Sequence, residues 1–286
     1  MARFARAWNG FWFAEGPLVS LGLFRILFAC CLLAEVATSR ARSVNAIDDG
    51  SFHLPYLDWI PPVPAAVYQL LHDLQIPLIL LFALGLFART SGTALLAIQS
   101  YLFLVDRLNF RNHSYLFLLL LLLLLLSPAA ETLSLRSWAR ARRSGVGWLR
   151  DSLALRRPLT FQRLIQLQVC LAYFFAGLHK LHPAYLRGDV LGDILDFPPA
   201  GLAALAGLIA ALELWLPCGL WMRKTRRLSI LLGISFHLAI AWTLSIHVFS
   251  LAMIASYLLF LEPHTLPGLF LAGRLSRPCA DRPSSP

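Results

Sequence analysis

The sequence predicts an all-α integral membrane protein, a polytopic bundle of about eight transmembrane helices with both termini in the cytoplasm. Three observations predict this fold class. First, 58% of the 286 residues are hydrophobic and only 14% are charged, whereas soluble domains carry about 25% charged residues. Second, apolar runs of near-spanning length recur along the chain. Third, basic residues are concentrated in alternate connections between these runs. The composition excludes a soluble enzyme and nucleic acid as a partner, and it makes the lipid bilayer the expected surroundings.

The chain begins with residues 1–17, in which Arg3 and Arg6 precede a group of aromatic residues. Basic and aromatic side chains in one short segment are typical of chains that lie in the membrane interface. The apolar run that follows has no small-residue cleavage site. We therefore expect an interfacial segment and an uncleaved first helix rather than a signal peptide.

Eight apolar segments then make up the predicted transmembrane domain, residues 18–262. The fourth is the clearest, because it contains an unbroken leucine run from Leu118 to Leu126. The second is the weakest, because two ionisable residues and Pro77 interrupt it, and the third and eighth are short for a span of about 20 residues. The eight segments are residues 18–37, 66–88, 91–105, 114–130, 159–178, 201–222, 228–247 and 248–262.

The distribution of charge sets the predicted orientation. The connection at 131–158 contains seven arginines, and the short connection at 223–227 contains four basic residues. The connections on the opposite side hold most of the aspartates. Cytoplasmic loops carry the excess of Lys and Arg, so we place the N-terminus and the tail, residues 263–286, in the cytoplasm. The tail is predicted to be disordered, and the protein is expected to be a multi-pass protein of a bacterial inner membrane.

Neither cysteine nor histidine spacing indicates a metal or redox centre. The five cysteines form no C-x-x-C pair, which disfavours a thiol–disulfide relay. His113, His179 and His182 fall on the predicted outer side, but Pro183 is expected to end the helix that would align the last two. We expect no bound metal.

Three ionisable residues lie near the middle of predicted spans: Arg25 in the first, Glu213 in the sixth and His237 in the seventh. Such groups are costly in a bilayer and are candidates for function. Arg25 and Glu213 could neutralise each other as a structural pair, or they could hold a polar ligand. His237 could make a single hydrogen bond between helices, or it could contribute to the same binding site.

A second group of candidates lies at the outer ends of two spans. His113, preceded by Asn112, enters the fourth span, and Lys180 leaves the fifth, so the topology places both at the same depth. Only two of the 25 basic residues are lysines, and Lys180 is the one outside the cytoplasmic loops. A lysine against an apolar surface can lose its proton and act as a general base. The alternative is a lysine whose ammonium group reaches from the helix end to the interface.

Two stretches carry a resemblance to a known family. RNHSYL (residues 111–116) and YFFAGLHKLHPAYLRG (173–188) resemble the transmembrane domain of the vitamin K-dependent γ-glutamyl carboxylases and their broader bacterial relatives, the HTTM ("horizontally transferred transmembrane") family. LELWLP (212–217), ISFHL (234–238) and IHVFSLAMIASYLLF (246–260) are similar to the same family in the same order. The resemblance extends over about residues 10–262.

The resemblance implies a site at the outer face. In the carboxylases, the lysine at the place of Lys180 deprotonates a hydroquinone, and the histidine at the place of His113 belongs to the same active site. His237 matches a further polar position. The implied cofactor is a vitamin K-like or menaquinol-like quinol. The sequence departs from the carboxylases at His179 and His182, where they have Lys and Asp, and residues after 262 show no match to their extramembrane portion.

Three functional hypotheses follow. In the first, the protein is a membrane enzyme in which Lys180 and His113 are catalytic, while Asn112, His237, Arg25 and Glu213 help to bind the quinol. Oxygenation would be coupled to an unknown acceptor, such as a separate secreted peptide that becomes carboxylated. In the second, it is a non-enzymatic transporter of a lipid or small molecule, or a maturation partner for a secreted peptide. In the third, it is a structural scaffold.

Overall fold

In a computed structural model, the structure describes residues 2–48, 56–57, 59–105, 107–109 and 111–261. These residues form thirteen α-helices, two short strands and three 3₁₀ helices. The α-helices are α1 (Ala2–Trp12), α2 (Val19–Asp48), α3 (Ala65–Leu84), α4 (Ala88–Val105), α5 (Asn112–Leu126), α6 (Leu135–Arg143), α7 (Trp148–Ala154), α8 (Thr160–His179), α9 (Pro183–Leu186), α10 (Asp189–Gly192), α11 (Pro199–Trp221), α12 (Arg226–Leu244) and α13 (His247–Ser256). The strands are β1 (Glu15–Pro17) and β2 (Arg156–Pro158), and the 3₁₀ helices are Arg107–Asn109, Ala129–Glu131 and Tyr257–Phe260.

Eight of these helices coincide with the eight apolar segments, and five of the eight are long and apolar enough to cross a membrane: α2, α3, α8, α11 and α12. The chain is therefore an all-helical, multi-pass integral membrane protein. Helix α5 has only 15 residues, which extend roughly 22 Å at 1.5 Å per residue and fall short of a hydrocarbon core of about 30 Å. The crossing count of eight and the cytoplasmic placement of both termini stay predictions.

The second apolar segment is more regular than its sequence indicates. Helix α3 continues through Pro77 without interruption and ends where Gly85 adopts φ +69°. The backbone N–H of Gly85 donates to the Phe82 carbonyl, which satisfies a group that the end of a helix leaves open. A proline removes one hydrogen bond of a helix, but the packing of α3 against α2 and α4 compensates for this loss.

Helix α2 is the central helix of the bundle. Inside the bundle, 61% of the apolar stretch of α2 is buried, against 17–33% of the apolar stretches of the other four candidate spans. Phe24, Phe28 and Leu32 are fully buried and form part of the main hydrophobic core. The outer helices instead expose large apolar side chains such as Trp242 of α12, which is 89% exposed. Large apolar side chains on the outer surface of the bundle suit helices that are surrounded by lipid.

The two strands join the chain's beginning to the start of α8. They pair antiparallel, with Gly16 opposite Arg157, and the Phe11 ring of α1 lies against Trp221 and beneath the Arg163 guanidinium. Helix α1 therefore packs on the ends of α8 and α11 at the side that carries the basic loop. The interfacial placement of residues 1–17 and the domain limits 18–262 stay predictions, and the predicted disordered tail, residues 263–286, lies outside the described residues.

Candidate functional site

Lys180 and Glu213 form an ion pair at the predicted outer end of the bundle. Lys180 directly follows the last residue of α8, and its Nζ donates to Glu213 Oε2 of α11 at 2.7 Å. The Glu213 side chain is only 6% exposed, whereas that of Lys180 is 24% exposed. The pair therefore joins a carboxylate inside the bundle to an amine that reaches its surface. The predicted Arg25–Glu213 pair is wrong, because the carboxylate has Lys180 as its partner.

A glycine permits this close approach of α8 and α11. Gly177 lies one turn before Lys180, and a Cβ atom placed there would come within 2.9 Å of Leu214 Cγ and 3.1 Å of Glu213 Cβ. Both distances are tighter than ordinary van der Waals contact, so a side chain at this position would force the helices apart. Tyr173, Gly177 and Lys180 follow each other at i, i+4 and i+7, which places them on one face of α8.

A buried polar cluster lies deeper on that face. The Tyr173 hydroxyl hydrogen-bonds to His237 Nε2 of α12 and to the Tyr257 hydroxyl, and all three side chains are at most 2% exposed. The Tyr257 hydroxyl reaches into the space that Gly233 of α12 leaves open. His237 Nδ1 has no hydrogen-bond partner among the described residues. His237 thus bonds between helices, as one of the two readings of the sequence expected, and it does so as part of a larger cluster.

Sequence reasoning missed the two tyrosines of this cluster. Both lie within the stretches that resemble the carboxylases, but they count as aromatic residues in an apolar run. The available signal is the hydroxyl group, because a tyrosine buried in a span needs a hydrogen-bond partner.

His113 lies in a second polar group, where the start of α5 meets the middle of α2. Arg111 pairs with Glu35 Oε1 at 2.6 Å, and His113 Nε2 lies 3.8 Å from the same oxygen. The His113 ring packs at 6.2 Å from the Phe249 ring, whose centroid lies 5.6 Å from that of His237. Sequence reasoning did not select Glu35, although a carboxylate ending an apolar run signals a buried pair.

The structure does not join His113 to Lys180 directly. Within the described ranges, the two side chains share no hydrogen bond or ion pair. The ring contacts of His113 lead through Phe249 to His237, which belongs to the buried cluster with Tyr173. Asn112 begins α5 with an exposed side chain. Of the predicted catalytic pair, Lys180 therefore has a defined polar partner, and His113 belongs to a neighbouring group.

Tyr185 forms an aromatic wall beside Lys180. Its ring centroid lies 5.8 Å from Lys180 Nζ, a distance at which an ammonium group is attracted to the face of an aromatic ring. Burial, and then the negative charge of Glu213, raises the pKa of Tyr185 to about 12. The phenol therefore keeps its proton at neutral pH and can donate a hydrogen bond there.

The remaining candidates lie elsewhere. The Arg25 guanidinium donates to backbone carbonyls at the opposite end of the bundle, so it does not contact the Lys180 group. His182 Nδ1 accepts a hydrogen bond from the Ala184 N–H at the start of α9. In the described part of the chain, no group of three or more His, Cys, Asp or Glu residues could hold a metal ion.

Comparison with known proteins adds one match. A family model described as the HTTM domain matches residues 14–264, which include every helix from α2 to α13. The match also includes both the Lys180–Glu213 pair and the Glu35–Arg111–His113 group. No solved structure matches the chain.

Proposed function

The chain belongs to the HTTM domain family, and from this membership and the Lys180–Glu213 geometry we propose that it is a membrane-embedded enzyme. Lys180 would deprotonate a quinol-type cofactor at the outer face of a bacterial inner membrane. The HTTM domain is linked to vitamin K-dependent carboxylase-like membrane proteins. Oxygenation of the quinol would be coupled to an acceptor, either a glutamate of a separate secreted peptide or a small molecule.

The observation that carries this proposal is the asymmetry of the pair. Glu213 is enclosed in the bundle while Lys180 is about a quarter exposed, and 2.7 Å separates their polar atoms. A proton can move along this hydrogen bond from Lys180 Nζ to Glu213 Oε2, which leaves a neutral amine beside a carboxylic acid. Burial disfavours both charges of an ion pair, so the low dielectric around Glu213 reduces the cost of the neutral form.

The residues around Lys180 fit a hydrophobic ring with a hydroxyl group. Leu181, the residue after Lys180, is 46% exposed and offers apolar surface at the end of α8. The Tyr185 ring supplies a flat wall. A vitamin K-like or menaquinol-like quinol, when bound, would supply the reducing equivalents that react with oxygen.

Within this arrangement the protein's own groups would move one proton. The neutral Lys180 amine accepts the proton of the bound hydroxyl and becomes an ammonium ion beside the negative charge that remains on the ligand. Because Lys180 Nζ is the exposed partner of the pair, it passes this proton on to water at the outer face. The Tyr185 phenol, protonated at neutral pH, can donate a hydrogen bond to the same negative charge.

His113, Asn112 and His237 would form the second side of the site. The Glu35 carboxylate lies 3.8 Å from His113 Nε2 and would orient the ring. His237, held by Tyr173, would fix the depth to which a ligand enters. We propose binding roles for these residues and reserve the proton transfer for Lys180.

The test is quinol-dependent oxygen uptake by the purified protein in nanodiscs. Loss of a general base lowers a rate by about 10²–10⁴-fold, so we expect Lys180→Ala to lose nearly all uptake. The matched control is Lys224→Ala, because Lys224 is the chain's only other lysine and lies in the exposed basic loop between α11 and α12. Equal uptake by wild type and Lys180→Ala would overturn the proposal.

A second candidate function is transport or peptide maturation without chemistry. The observation that favours it is the Tyr173–His237–Tyr257 cluster, because buried polar groups inside a helix bundle mark substrate or ion pathways. This candidate predicts that transport or peptide maturation in the cell depends on Tyr173 and His237 and does not change in Lys180→Ala. Comparing variants at Tyr173 or His237 with Lys180→Ala therefore separates the two functions.

A further inference from the structure

A cleft opens at the end of the bundle opposite to the Lys180 group. Its volume of about 640 Å³ is within the roughly 300–1,000 Å³ typical of ligand pockets. It lies among the end of α3, the start of α4, the end of α5 and the start of α6. Its lining combines arginines with apolar side chains and includes Arg25, Gly85, Arg89, Leu125, Ser127 and Arg136. The basic connections of the chain lie at the same end, which the charge distribution assigns to the cytoplasm.

Arg25 places a buried positive charge in the wall of this cleft. It is 1% exposed and donates to the carbonyls of Ala129, Thr132, Ala83 and Leu133. Among the described residues its Nε has no hydrogen-bond partner, and no carboxylate of theirs lies within salt-bridge distance of its guanidinium group. Carbonyl oxygens satisfy its N–H groups but do not neutralise its charge. A buried cation without a counter-charge is costly, so this wall favours an anion.

The mouth of the cleft is positive as well. Arg89 and Thr90 stand in the first turn of α4, an 18-residue helix whose N-terminal N–H groups and dipole favour an anion. Arg136, in the first turn of α6, is exposed on the other side of the opening. The lining contains the carboxylate of Glu131, but this group pairs with Arg157 at 2.7 Å. Three arginines therefore face a cleft whose acidic member already has a cationic partner.

We propose that this cleft binds a phosphate group. Guanidinium groups match phosphate geometry through paired N–H donors, which Arg89 and Arg136 present at the opening, and the start of α4 supplies further donors. Two sources could present this chemistry: the headgroup of an anionic phospholipid of the inner leaflet, or a soluble phosphorylated molecule. The exposed apolar side chains of Phe87 and Leu135 at the rim can contact acyl chains and thus favour the lipid.

The test compares phosphatidylglycerol, phosphatidylcholine and inorganic phosphate as ligands of the full chain in detergent. Native mass spectrometry counts bound lipid, and the melting temperature is followed during titration with each ligand. The test variant is Arg89→Gln with Arg136→Gln, two exposed residues whose replacement leaves the Arg25 hydrogen bonds in place. The control is Arg223→Gln with Arg227→Gln, which removes the same charge from the same side but outside the cleft.

We expect wild type and the control to bind phosphatidylglycerol equally and to prefer it over phosphatidylcholine. The test variant should bind it about 30-fold more weakly, since each of the two arginines near anionic lipid contributes roughly fivefold. Competition by inorganic phosphate would indicate the soluble source, and its absence the lipid source. Equal weakening in both double variants, or binding of neither phosphatidylglycerol nor inorganic phosphate by wild type, would overturn the proposal. If the test variant does not fold, the binding of these two ligands by wild type decides.

Discussion

Glu213→Gln is the substitution that most directly tests the proton pair. It keeps the size of the side chain but removes the group that would take the proton from Lys180 Nζ at 2.7 Å. A neutral amide cannot accept that proton, so the proton transfer within the pair is lost and the Lys180 ammonium can give its proton only to water. We expect quinol-dependent oxygen uptake to fall about 10²–10⁴-fold, the range typical of lost proton transfer.

The same substitution carries a cost in stability that can be worked from the structure. Breaking a buried ion pair costs about 3–5 kcal/mol, but the Lys180 side chain is 24% exposed, so water compensates part of the loss. We expect about 2–3 kcal/mol, which corresponds to a melting temperature lower by roughly 4–10 °C. Glu131→Gln is the control, since its pair with Arg157 is more exposed and is worth at most about 1 kcal/mol.

A double variant separates stability from chemistry. Lys180→Met with Glu213→Leu replaces the ion pair by apolar side chains of similar volume, and such replacements of buried pairs are often neutral in stability. We expect the melting temperature to return to within about 2 °C of wild type while oxygen uptake stays lost. The assays are thermal unfolding and oxygen uptake on the same nanodisc preparation. Uptake by Glu213→Gln within about twofold of wild type would refute the reasoning, because the expected loss is at least a hundredfold.

Three further predictions concern packing, the buried cluster and pH. Gly177→Val should lower the free energy of unfolding by about 1–3 kcal/mol through overpacking between α8 and α11. The control Gly207→Ala in α11, where a Cβ atom meets nothing within 4 Å, should be neutral or stabilising. Equal effects of the two substitutions would contradict the close approach of the helices at Gly177. Tyr173→Phe should lower the free energy of unfolding by about 1–3 kcal/mol, because it leaves buried partners without their hydrogen bonds. Tyr115→Phe, at an exposed site, should change it little in the same thermal unfolding assay. Similar losses in the two variants would count against the buried cluster. The pKa of Tyr185 is about 12 in the folded protein and about 10 in the unfolded chain. Because the unfolded chain loses this proton first, the free energy of unfolding falls as pH rises from about 10 to 12. Tyr185→Phe should show a weaker fall in melting temperature over this range, and an unchanged slope would contradict the buried phenol.

The sequence predicted most of the fold because hydropathy and loop charge act locally. Each of the eight apolar segments coincides with a helix, and even the segment with Pro77 is continuous. Lys180 could be selected because a lysine on the acidic side of the chain stands out. Its carboxylate partner could not be selected, because depth in the membrane says nothing about the face of the helix on which a residue lies. Arg25 and Glu213 were paired on depth alone, and the structure separates them.

The buried charges of the bundle divide by their partners. Glu213 and Glu35 each pair with a cation, Lys180 and Arg111, at the end of the bundle that we assign to the outer face. Arg25, at the other end, has only backbone carbonyls as described partners. A pair that can exchange a proton is suited to chemistry, since its net charge does not change when the proton moves. An unneutralised cation is suited to holding an anion. The proposed proton-transfer site and the proposed anion site therefore lie at opposite ends of the bundle, and we expect substitutions at one to leave the other's assay unchanged.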